Sequence, residues 1–195
     1  MTKSITITKD MINDAAFELV RTEGIEALSA RNIAKRLNCS TQPIYNAYAS
    51  MDEIRELTMA RLMEYVMGII VRYKSTNRPF LDSGLGYIYF AKTEKVLFQK
   101  FELNVERIKE ENSEFGNPQI RALMDVDPDV QKYNLTKEGK DNVFKKIMIF
   151  TYGVAVLSYL DKLIMSEEEV IVLFEEICES YLEQEALGKK EEVVK

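Results

Sequence analysis

The 195-residue sequence is 46% apolar and 30% charged, a composition that excludes a disordered chain and suits one large domain or a small one joined to a larger one. No apolar run approaches the ~18 residues of a membrane helix, and the opening Met1-Thr2-Lys3-Ser4-Ile5-Thr6 has no apolar signal core, so the protein reads as cytoplasmic with no membrane partner. The net charge of −6 argues against a polyanionic partner until its distribution is read: residues 1–50 hold six Lys/Arg against five acids, residues 51–195 twenty against twenty-seven.

The first helix signal starts near Thr8. Met11, Ile12, Ala15, Ala16, Leu19 and Val20 recur on one helical face, and Gly24 is placed to end the helix. Ser29 is a good N-cap for a short second helix with Ile33, Ala34 and Leu37 inward. Asn38 tolerates the left-handed turn that follows. Ser40 or Thr41 can cap a third helix with Pro43 in its first turn, where proline is accepted. Ile44 and Tyr48 then share its buried face. Ser50 caps a long fourth helix, with Asp52 and Glu53 in its first turn, running to about Tyr73. Asn77-Arg78-Pro79 breaks the pattern, and helices follow at roughly 80–93 and 94–111. Residues 112–139 read as a loop with a short helix near 119–124, and two apolar helices close the chain at roughly 140–164 and 167–186. Ser166 caps the last helix, and the charged tail from Gly188 is expected to fray. No strand, repeat or low-complexity segment is predicted.

Two short helices across a tight turn, backed by a supporting helix, form a helix-turn-helix reader. Ala34 supplies the small residue where the helices cross. The third helix exposes Thr41, Gln42, Tyr45 and Asn46: amides match the edge of adenine, and hydroxyls reach phosphates. From Ala27 to Met51 the chain carries Arg31, Lys35 and Arg36 and no acid, a small basic head on an acidic body.

Ile12, Ala15-Ala16, Leu19, Gly24, Ser29, Ile33-Ala34, Leu37, Ser40, Ile44-Tyr45, Tyr48, Ser50 and Ile54 stand at the spacing of a known signature. Over these 45 or so residues the sequence resembles the tetracycline-repressor (TetR) family. Tyr87-Ile88-Tyr89-Phe90-Ala91 and Tyr152-Gly153-Val154-Ala155 resemble patterns in that family's C-terminal domains. The chain departs from the family at Asn38, commonly Gly, at Met51, commonly Lys beside a phosphate, and at Asn46-Ala47, commonly an aromatic-or-His pair. The resemblance implies an all-α bacterial transcriptional regulator with a three-helix DNA-binding domain at 1–50 and a larger ligand-binding and dimerisation domain at 51–195. The implied partners are double-stranded, pseudo-palindromic operator DNA, a second copy of the chain and a small apolar or aromatic ligand. The expected DNA contacts are Ser29, Arg31, Ser40, Thr41, Gln42, Pro43, Tyr45 and Asn46. Apolar-aromatic stripes nominate Tyr65, Ile69, Tyr87, Phe90, Phe98, Phe101, Met148 and Tyr152 for the ligand, although such stripes also describe ordinary core. Val154, Leu157, Leu160, Val170, Leu173, Phe174, Ile177 and Tyr181 offer a four-helix dimer interface. Repression is preferred to activation, because a dimer on a promoter blocks polymerase without further contacts.

The chemistry available points away from catalysis. There is no histidine, which removes imidazole triads and HExxH zinc sites, and no metal or cofactor is expected. Cys39 and Cys178 are read as two buried free thiols. The acidic pairs Glu110-Glu111 and Glu167-Glu168 sit at adjacent positions, which on a helix point about 100° apart and do not converge on one substrate. The alternatives kept are a regulator without a ligand and, less favoured, an all-α enzyme.

Overall fold

The structure is a computed structural model that describes residues 6–103 and 117–193, with side chains as far as 188. Every regular element among the described residues is helical. The chain packs as two compact units, Met1–Met67 with Glu94–Ile108 and Gly68–Thr93 with Lys109–Lys195.

In the first unit, α1 (Lys9–Glu23) starts where the Thr8 hydroxyl accepts from the Met11 N–H at 3.2 Å, and buries Ile12, Ala15, Ala16, Phe17, Leu19 and Val20. Gly24 ends it at φ +94°, and a side chain there would meet the Glu26 carboxylate at 2.8 Å. After a 3-10 turn at Ile25–Ala27, Ser29 accepts from the Asn32 N–H and caps α2 (Ala30–Arg36). Asn38 carries the turn at φ 51°. Thr41 precedes α3 (Gln42–Ala47) but makes no side-chain capping bond; Pro43 sets the first turn instead. Ser50 and Glu53 then form a reciprocal box at the start of α4 (Met51–Arg72): the Ser50 hydroxyl accepts from the Glu53 N–H, and the Glu53 carboxylate from the Ala49 N–H at 2.9 Å. Ile54, Thr58 and Leu62 form its buried face in this unit.

The helix anticipated at 94–111 is interrupted. Glu94 leaves helical geometry (φ −112°, ψ 55°), α6 is a single turn at Lys95–Leu97, and Phe98–Glu102 widens into a π-turn. Leu97 and Phe98 are buried against this unit's core. Residues 104–116, and with them Glu110-Glu111, lie outside the described residues.

The second unit is organised around α5 (Pro79–Thr93), which is buried along most of its length. Gly86 lets α5 meet the end of α4, since a Cβ there would lie 2.4 Å from the Ile70 carbonyl oxygen. The expected loop holds two short helices, α7 (Pro118–Leu123) and α8 (Pro128–Lys132). The buried Asp127 carboxylate caps α8 and also accepts from the Phe80 N–H at 3.0 Å, tying α8 to the start of α5. Helix α9 (Lys137–Tyr159) starts three residues before its predicted position, because Thr136 caps it through the Gly139 N–H. It stops before 164 because Asp161 turns left-handed at φ 54° and the Lys162 N–H closes onto the Leu157 carbonyl. The pairs Phe80–Phe144 (6.0 Å) and Tyr87–Tyr152 (6.3 Å) show α9 running parallel to α5. Helix α10 (Glu167–Val193) opens with a Ser166–Glu169 box and buries Val170, Phe174, Cys178 and Leu182, one residue per turn. It continues past the predicted end near 186. Burial pushes the Cys178 thiol up to about 12. Cys39, expected to be buried, is half-buried.

Candidate functional site

In the head, each helix spends one face on the core and leaves the other to solvent. Helix α2 buries Ala30, Ile33 and Ala34 and exposes Arg31, Lys35 and Arg36. Helix α3 buries Ile44 and exposes Gln42, Asn46 and Tyr45, the last at 58%. Tyr48 ends α3 as a buried ring whose hydroxyl donates to the Asn13 side chain at 2.7 Å, while the Lys9 ammonium sits 4.7 Å from its centroid. Burial raises the Tyr48 pKa, with the Asn13 bond acting the other way. These contacts fix α3 against α1, and neither Asn13 nor Lys9 carried any sequence signal of that role.

Of the expected DNA contacts, Arg31, Ser40, Gln42, Tyr45 and Asn46 are exposed and Ser29, Thr41 and Pro43 half-buried. The Ser29 hydroxyl is engaged in capping. Gln42 and Asn46 face each other one turn apart, with the Gln42 amide donating to the Asn46 carbonyl oxygen at 2.9 Å. The pair presents amide donors and acceptors on one exposed edge of α3, beside the Tyr45 ring. Arg36 lies 3.9 Å from Glu23.

The eight residues nominated for a ligand are divided between the two units. Tyr65, Phe98 and Phe101 belong to the first unit, and Ile69, Tyr87, Phe90, Met148 and Tyr152 to the second. Phe90 and Phe98 are fully buried. Tyr87 stands 6.1 Å from Phe90 and 6.3 Å from Tyr152 in a ring cluster. Tyr65 serves a polar junction: its hydroxyl donates to Glu94 at 2.5 Å, and Glu94 also accepts from the Arg21 Nη2 at 2.7 Å and its Nε at 3.0 Å. Burial and the Glu94 bond push the Tyr65 phenol up to about 12. The hydrogen bond to Glu94 likewise raises the Arg21 guanidinium.

A cleft of about 290 Å³ does open in the second unit, and none of those eight lines it. Its walls come from Tyr73 just past α4, the latter half of α5, the end of α9 with the segment that follows it, and the start of α10. Across it the Tyr73 hydroxyl donates to Glu167 at 2.6 Å, and burial with this bond raises the Tyr73 phenol to about 12.

Of the residues nominated for dimerisation, Val154, Val170 and Phe174 are buried within the unit, Leu157 and Leu160 are exposed, and Leu173, Ile177 and Tyr181 are half-buried. The exposed apolar residues of α9 and α10 also include Ile149, Val172 and Leu187.

The architecture defines an all-helical protein with an N-terminal helix-turn-helix head, the class of DNA-binding regulators. Residues 12–57 match the model of the bacterial regulatory proteins of the tetR family. A TetR-family transcriptional regulator from Haemophilus influenzae shares the fold, at a TM-score of 0.55 and 18% identity, over 89% of this chain and 93% of that one. No curated protein matches the sequence. The family match thus covers the head, and the likeness over the rest of the chain is one of fold.

Proposed function

We propose that the protein is a homodimeric repressor that binds a pseudo-palindromic operator and is released from it by a small molecule. DNA binding is assigned to residues 1–50 and regulation to 51–195. The observation that carries the reading is the split of α3: Ile44 is buried, while Gln42, Tyr45 and Asn46 form an exposed polar edge on a head fixed through Tyr48. Arg31 and Tyr45 are assigned to phosphates, Gln42 and Asn46 to base edges. Two heads must reach major grooves about 34–36 Å apart, which requires a two-fold dimer. The exposed Ile149 and Leu157 of α9, with Leu160 just past its end, supply an apolar face for it. Helix α4 is the proposed lever, because it is one continuous helix of 22 residues that belongs to both units. An inducer must bind the DNA-incompetent state better than the DNA-bound one to shift the equilibrium. An operator selected from random duplex DNA and titrated by gel shift tests the reading. Two-fold symmetric sequences with steep salt dependence are the expected result; no enrichment at low salt overturns it.

A further inference from the structure

The cleft of the second unit has the furnishings of a binding site rather than of a packing defect. Leu85, Ile88 and Val170 make part of its wall apolar, and the rings of Tyr73 and Tyr89 add aromatic surface, their centroids 5.7 Å apart. Ser158 also lines it; the residue is 8% exposed, and its buried hydroxyl oxygen has no hydrogen-bond partner among the described residues. A buried hydroxyl left unpaired opposes folding, and a polar atom of a ligand in the cleft would satisfy it.

The charged groups on the lining are Lys92, Asp161 and Glu167, two carboxylates against one ammonium. Glu167 already accepts from Tyr73, yet a carboxylate has room for about four donors. Aromatic faces attract cations and repel anions, so Tyr73 and Tyr89 add to the preference set by the acids. Lys92 is exposed, where water screens its charge. At about 290 Å³ the space lies at the small end of ligand pockets.

On the reading of the chain as a ligand-responsive regulator, we propose that this cleft is its effector site. The ligand is a small amine with an apolar, ring-bearing body. Its ammonium pairs with Glu167 and Asp161, its body packs on Leu85, Ile88 and Val170, and a polar atom meets Ser158.

Calorimetric titration of the full chain with naphthylmethylamine, naphthylmethanol and naphthoate tests this. The amine is expected to bind about tenfold or more tighter than the alcohol or the acid. Glu167→Gln keeps an acceptor for Tyr73 and removes the charge; Asp161→Asn keeps a residue that tolerates the left-handed turn. Each should weaken the amine about fivefold and leave the alcohol unchanged. Ser158→Ala, the mildest change, should weaken amine and alcohol alike. Equal or tighter binding of naphthoate, no heat with any of the three compounds, or amine binding unchanged in both acid variants overturns the proposal. So does amine binding that appears only in a Leu157→Glu variant, which would make the cleft an interface between copies. Operator titrations on the same samples separate the two readings. Intact operator binding without amine binding removes the cleft assignment alone, whereas a parent chain that binds no operator removes the regulator itself.

Discussion

Glu94 holds three elements of the first unit through one carboxylate, so replacing it with Gln should destabilise that unit out of proportion to the change in size. The carboxylate accepts from the Arg21 Nη2 at 2.7 Å, from its Nε at 3.0 Å, and from the Tyr65 hydroxyl at 2.5 Å. Its side chain is 12% exposed and that of Arg21 33%. Hydrogen bonds to a charged group are worth about 1.5–3 kcal/mol each and neutral ones about 0.5–1.5. Arg21 is open enough for solvent to screen the pair, and its second partner Glu18 lies 3.4 Å away, so the lower half of each range applies. Glu94→Gln makes the Tyr65 bond neutral, takes the ion-pair attraction from the Arg21 bonds and sets an amide NH2 against the guanidinium, which gives a loss of about 2 kcal/mol. Tyr65→Phe removes one bond, for about 1 kcal/mol. Because both changes act on one acceptor, the double variant should lose less than the sum by about 0.5–1 kcal/mol. Urea denaturation followed by far-ultraviolet circular dichroism measures all four proteins. A loss below about 0.5 kcal/mol for Glu94→Gln, or strict additivity, would refute the argument. The junction also has a pH signature. The Tyr65 phenol is raised from 10.0 in the unfolded chain to about 12 in the folded one. Its contribution is therefore complete below pH 10 and is lost as pH rises toward 12. Tyr65→Phe should remove this part of the alkaline destabilisation.

Tyr73 behaves alike in the second unit: it is raised to about 12 by burial and by Glu167, so Tyr73→Phe should flatten the stability–pH curve between about pH 10 and 12. Arg31→Ala and Tyr45→Ala are expected to weaken operator binding without altering the helical dichroism, while Gln42→Ala or Asn46→Ala relaxes sequence preference by about 1–3 kcal/mol; unchanged gel shifts in all four variants would remove α3 as the reading helix. Leu157→Glu with Leu160→Glu places charges on the exposed apolar face of α9 and should yield monomers by light scattering; a persistent dimer moves the interface elsewhere. Gly86→Ala forces a methyl to within 2.4 Å of the Ile70 carbonyl oxygen and should cost about 1–3 kcal/mol in thermal denaturation, with an unchanged midpoint as the contrary result.

The head was legible because its signals are local. Thr8 and Ser29 cap the helices that follow them, Gly24 and Asn38 take the positive φ that ends the ones before, and the apolar spacing of α1 states which face is buried. The interruption at Glu94 was not legible, since the side chain's partner there, Arg21, lies 73 residues away. Asp127-Pro128 falls in the stretch read as loop; in the structure the pair is a cap and first residue of a helix, with Phe80 as the distant partner. Aromatic spacing cannot separate a cavity from a core, and Phe90 and Phe98 went to the core. The cleft is assembled from Tyr73, just past α4, Ser158 on α9 and Glu167 on α10, which no single period links. Apolar continuity likewise found α9 and α10 but not which face of each looks outward. Val154, Val170 and Phe174 turn in, while Ile149 and Val172, not nominated, turn out.

The bond between Gln42 and Asn46 changes what a mismatch means for the proposed recognition helix. A reader whose amides are unpaired when free leaves them stranded against a wrong base, and most of its selectivity comes from that penalty. Here the two amides already satisfy each other. A base with nothing to offer lets the pair stay shut at little cost, whereas adenine must first break one bond to supply two. Such a helix gains from right bases more than it loses to wrong ones. The discrimination of about 1–3 kcal/mol expected of these two amides then comes from bonds gained at right bases rather than from penalties at wrong ones.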